Sequence, residues 1–160
     1  MDTHQESSDR QRALRLVETR RYIEAMPLLR AAAEADPRDV EIRLALGVSF
    51  VETDRARTAL IFLRQVLLAV GDAPTVWFWT GRAFMDLGEL ADAERAFRQA
   101  LLLDATRIDC WVRLGHVLMN GGSLTQSEAA FGDALALEPD HPDALAGRAM
   151  VRERRGARTD

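Results

Sequence analysis

Apolar and small residues fall along this chain in two alternating helical stripes, and the pair of stripes recurs every 34 residues. Gly47, Gly81 and Gly115 mark the period, and the residues around each recur with it. Cutting the chain at 6–39, 40–73, 74–107 and 108–141 brings the columns into register. Within a unit, positions 4, 7, 8 and 11 share one face of a first helix, and positions 20, 24 and 27 share one face of a second. Position 8 holds the three glycines, and position 20 holds Ala25, Ala59, Ala93 and Ser127. Small residues there let two paired backbones approach closely. Around them stand larger side chains: Trp77 and Trp111 at position 4, and Leu29, Leu63, Phe97 and Phe131 at position 24. Pro37 and Pro139 end second helices, because proline lacks an N–H and disfavours a helical residue before it. Gly88 and Gly122, both at position 15, suit the turn inside a pair.

The pattern predicts helix pairs near 8–19 and 22–35, 39–52 and 56–70, 74–86 and 90–103, and 108–120 and 124–137. A final helix follows over 141–155, with Leu145 and Ala149 in register before an arginine-rich end. It reads as a solubilising cap, which an array needs where stacking stops. Residues 1–7 and 156–160 are expected to be disordered termini, with the repeat domain spanning 8–155.

These columns resemble the tetratricopeptide repeat, whose pattern runs W-x2-L-G-x2-Y, then A-x3-F, A and P. The segments WFWTGRAF…ADAERAFRQA and WVRLGHVL…SEAAFGDALALEP carry the resemblance best, and it covers roughly 10–155. It departs at Arg43 for the tryptophan, Thr80 for the leucine, and Gly71 and Ala105 for the proline, which implies a looser joint after the second unit. The resemblance implies an all-α right-handed superhelix, a solenoid of about four helix-turn-helix units plus the C-terminal capping helix. It also implies a concave groove lined by the first helices, with ligand contacts from positions 2, 5, 6, 9, 12 and 13.

On this chain the groove positions give Leu44, Val48, Val51 and Glu52, then Phe78, Trp79, Arg82, Met85 and Asp86. Asp109, Val112, Arg113, His116, Met119 and Asn120 follow, flanked by Leu14, Val17, Ala146 and Met150 in the outer units. An apolar strip of this kind suits an extended peptide or an amphipathic helix, with Arg82 and Arg113 meeting acidic groups. The family's chaperone-tail clamp does not fit, since Asp109 stands where a lysine is needed. On the other side, Ile61, Leu68 and Leu102 occupy normally polar positions of the second helices and are candidates for self-association into a homodimer.

Composition narrows the partner. The net charge of −4 argues against nucleic acid. No apolar run reaches the length of a signal peptide or a membrane span, so the expected partner is a protein or peptide, not a membrane, and the expected compartment is the cytoplasm. All 21 basic residues are arginine, which excludes Schiff-base and P-loop lysine chemistry. The lone Cys110 completes neither a disulfide nor a zinc site. His4, His116 and His141 are too scattered to build a catalytic pair, and no HExxH, CxxC or phosphate-binding glycine loop occurs. The chain therefore reads as a non-catalytic adaptor with no cofactor or metal. The alternatives are a small secretion-type chaperone of the same family and an accessory docking subunit of an enzyme or multiprotein assembly.

Overall fold

The computed structural model describes residues 3–157, with side chains from Ser7 onward. These residues form nine helices and no strand: α1 (Thr3–Glu18), α2 (Tyr22–Ala35), α3 (Val40–Val51), α4 (Ala56–Val70), α5 (Pro74–Asp86), α6 (Leu90–Leu103), α7 (Ile108–Asn120), α8 (Leu124–Leu137) and α9 (Pro142–Gly156). Consecutive helices pack as hairpins, and each hairpin stacks on the next to give a right-handed superhelical array closed by α9.

The boundaries follow local chemistry. Asp39 caps α3, its carboxylate accepting from the Ile42 N–H at 3.1 Å. Pro74 and Pro142 open α5 and α9, where the missing N–H costs nothing. In each of the four hairpins, position 15 turns the chain with a positive φ: Arg20 at 60°, Asp54 at 58°, Gly88 at 74° and Gly122 at 81°. Glycine adopts this conformation freely, whereas Arg20 does so against the contact between its Cβ and backbone.

The columns meet as their spacing requires. A Cβ added to Gly47 would stand 2.9 Å from Leu63, one on Gly81 would stand 2.8 Å from Phe97, and one on Gly115 would stand 2.7 Å from Phe131. Ala59, Ala93 and Ser127 are fully buried opposite, and the Ser127 hydroxyl donates to the Gly115 carbonyl at 2.6 Å. Trp77 and Trp111 lie half-buried, and their indole N–H groups donate to Asp72 and to the Ala105 carbonyl, each at 2.9 Å. Pro139 follows the end of α8 and is exposed.

Three expectations are corrected. The first helix begins at Thr3, not at residue 8. THQESSD contains no glycine or proline to stop it. At the other terminus α9 continues through Gly156; residues 1–2 and 158–160 lie outside the described residues. The joint after the second unit is not loose, because one apolar cluster runs from Ala13 through Leu63 to Val76 and Ala83 across it. Ala149 keeps the register of the glycines and is exposed, since no second helix covers α9 among the described residues. Gly147 is the buried small residue there, against the Phe131 ring that also packs on Gly115.

Candidate partner-binding groove

The first helices α3, α5, α7 and α9 lie side by side along the concave face, and their mutual contact decides what remains reachable. Five of the residues expected to line the groove are core instead. Val48 is 8% exposed, Val51 2%, Phe78 5%, Val112 4% and Met119 4%. Consecutive first helices approach closely enough that each covers these positions of its predecessor. Phe78 packs on Phe97, with ring centroids 5.9 Å apart, under the Arg107 guanidinium. Val112 and Met119 join Phe131, Ala144 and Val151 in the seam between α7, α8 and α9.

Leu44, Trp79, Arg82, Met85, Arg113 and His116 stay half-buried and form the accessible floor. Arg82 is its centre. Its guanidinium meets the Glu52 carboxylate at 3.2 Å and lies 5.3 Å from the Trp79 ring centre. The Arg82 Nε is buried with no hydrogen-bond partner. Burial raises the Asp86 carboxyl above its ordinary value. Burial, then repulsion from Arg82, lowers Arg113, which makes no ion pair among the described residues. Burial, then Arg113, lowers His116, whose ring stands edge-on to Phe131 at 5.1 Å. Asp143, at the start of α9, acts electrostatically on both Arg113 and His116. It occupies the same unit position as Glu41 and Asp109, which is the signal that would have found it. Asp109 itself is exposed and paired with Arg107 at 3.0 Å.

The floor is thus an aromatic and thioether surface crossed by charges of both signs, which suits polar-apolar peptide contact. Cys110 is fully buried, its Sγ within 3.4 Å of the Phe97 carbonyl oxygen. Burial, then Asp109, pushes its thiol up to about 12, leaving an inert thiol and no nucleophile. His141 serves as the cap of α9, its Nδ1 accepting from the Ala144 N–H at 3.3 Å. The His4 side chain lies outside the described residues. Among the described residues, no cluster of three or more His, Cys, Asp and Glu side chains is placed to hold a metal, and no helix is long and apolar enough to cross a membrane.

On the convex side, Ile61 is 59% exposed, and Leu68 and Leu102 are each 78% exposed. Beside Leu68 is a shallow depression of about 510 Å³ walled by Ala33, Pro37, Phe62 and Ala69.

Comparison with known proteins agrees with this architecture. MamA AMB-1 superposes with a TM-score of 0.81 at 23% identity, over 97% of this chain and 85% of that one. Another MamA crystal structure gives 0.80 at 19%, over 99% and 88%. The MamA RS-1 ArsTM double mutant gives 0.83 at 15%, over 94% and 84%. At these identities the likeness is one of fold. No curated protein sequence matches the chain. One tetratricopeptide repeat profile matches residues 16–77 and 84–151, and a second matches 49–107. The chain belongs to the tetratricopeptide repeat family, whose helical scaffolds bind other proteins.

Proposed function

We propose that this chain is a non-catalytic adaptor that captures a short segment of a partner protein on the accessible floor of its concave face. Leu44, Trp79 and Met85 supply apolar contact. Arg113, with Arg82 behind it, receives an acidic or carbonyl group of the segment, and Asp86 and Asp143 select against a purely acidic one. The observation that carries this reading is Arg113: a half-buried guanidinium, partly stripped of water, without an ion pair among the described residues, in a concavity floored by Trp79 and Met85. A cation held in that state gains by donating its N–H groups to a partner's oxygen.

The burial of Val48 and Phe78 decides which substitutions can test this. A glutamate at Val48 would disrupt packing and report on folding, whereas Met85 and Arg113 are reachable. Affinity capture with the full chain should retrieve a partner that the folded Met85→Glu/Arg113→Glu variant loses. Equal capture by a variant with an intact helical circular-dichroism signal would remove the groove from the reading.

A second copy on the convex side is supported by the exposure of Ile61, Leu68 and Leu102, with Leu68 beside a shallow depression. Sedimentation of wild type against Ile61→Glu/Leu68→Glu tests it. A monomer in both would reject a homodimer through this face.

A further inference from the structure

The outer face of the second helices carries a charge pattern that complements itself. Positions 18, 22, 25 and 29 of a unit are spaced as one helical stripe, and in the second and third units all four are exposed. The stripe reads Arg57–Ile61–Arg64–Leu68 on α4, Ala91–Arg95–Arg98–Leu102 on α6 and Thr125–Ala129–Gly132–Ala136 on α8. Residues 55–71 hold three arginines and no acid, and Arg57 and Arg64 make no ion pair among the described residues. On α6, Arg95 and Arg98 are offset by Asp92 and Glu94 of the same helix. Residues 121–140 hold four acids and no base. Glu128 is taken by Arg152 and Arg155, while Asp133, Glu138 and Asp140 are exposed and without an ion pair among the described residues. The α8 stripe is also low, with nothing within 4 Å of a Cβ built on Gly132. The face thus passes from basic and bulky at α4, through neutral at α6, to acidic and small at α8.

Resting on the convex second-copy reading above, we infer that two copies pack back to back about a two-fold axis along α6, so that α4 of each meets α8 of the other. As the second helices of successive units, α4, α6 and α8 run in the same direction. An axis parallel to them therefore reverses their order and keeps their direction, and each contact occurs twice in a closed dimer. Equivalent positions then meet. Ile61 lies on the second copy's Ala129, Arg64 beside its Asp133, Leu68 on its Ala136, and Leu102 on its Leu102. Bulky apolar side chains fall on small ones, and the surplus arginines of α4 face the surplus acids of α8. A two-fold axis across the helices would instead set α4 on α4 and α8 on α8, base against base and acid against acid. An anionic lipid surface would attract α4 but repel Asp133, Glu138 and Asp140 in the same plane.

Charge exchange, followed by sedimentation equilibrium of the full chain, tests the arrangement. Wild type should dimerise. Arg64→Glu and Asp133→Arg should each weaken the dimer about tenfold or more, since each acts at both symmetry-related contacts. Arg64→Glu/Asp133→Arg together should return it toward the wild-type affinity, because the pair is restored with its signs exchanged. Leu102→Glu should abolish the dimer by setting two carboxylates against each other on the axis. All three positions are exposed, and the helical circular-dichroism signal checks that each variant folds. A wild type that stays monomeric, whether or not it binds phosphatidylserine vesicles, would overturn both this arrangement and the convex reading. A dimer that Ile61→Glu/Leu68→Glu dissociates, but that either charge reversal leaves unweakened or the exchange fails to restore, would leave the convex reading standing and overturn the pairing of α4 with α8.

Discussion

Replacing Gly147 by alanine probes the tightest point of the stack. A Cβ built on Gly147 overlaps Cζ and Cε1 of Phe131 and stands 2.9 Å from its Cδ1. The ring has little room to shift, because a Cβ on Gly115 would also stand 2.7–2.9 Å from it. Phe131 is fully buried, held between two backbones that only glycine allows so close. Alanine in a helix interior gains about 1 kcal/mol over glycine, while overfilling a packed core costs about 1–3 kcal/mol. Gly147→Ala should therefore lose up to about 2 kcal/mol net. Gly132 on α8 has nothing within 4 Å of its built Cβ, so Gly132→Ala should gain about 1 kcal/mol. Urea unfolding followed by circular dichroism should separate the two variants by about 1–3 kcal/mol. Adding Phe131→Leu should cost less in the Gly147→Ala background than alone, because the smaller side chain relieves the overlap. A Gly147→Ala protein as stable as Gly132→Ala would refute the steric reasoning.

Two further predictions concern the turns and the groove. Arg20→Gly should stabilise the chain by roughly 0.5–1 kcal/mol by relieving a positive φ, with a smaller gain for Asp54→Gly because aspartate tolerates that region better; equal melting temperatures for Arg20→Gly and wild type would contradict this. His116 is lowered by burial and then by Arg113, opposed by Asp143, so its folded state favours the neutral ring. The unfolded chain then binds the proton more readily. The stabilisation is complete above the ordinary imidazole value of 6.5 and is lost as the pH falls below it. His116→Gln should flatten the stability profile below pH 6.5, and an unchanged slope would count against burial as the cause.

What could be read from the residues alone depended on how local each contact is. Position 8 against positions 20 and 24 is a contact within one hairpin, set by helical spacing, so Gly81, Ala93 and Phe97 announce it. The reachable floor is a contact between hairpins. Whether Val48 or Phe78 faces solvent depends on how closely the next first helix approaches, and no column of one unit carries that distance. Arg20 and Asp54 hid the turn conformation that Gly88 and Gly122 display, because only glycine advertises a positive φ. Ala149 kept the register of the glycines yet lost their environment, since register does not reveal whether a covering helix follows. Asp143 entered the groove from the last helix, of which the groove pattern had marked only Ala146 and Met150.

The claim that a partner lies on the floor of the concave face is tested most directly by hydroxyl-radical footprinting of the chain alone and with the captured partner. Trp79 and Met85 on the floor should lose reactivity when the partner is bound, while Trp77 and Trp111, half-buried against their own second helices, should be unchanged. Protection of Trp77 or Trp111 with Trp79 and Met85 still reactive would contradict the account.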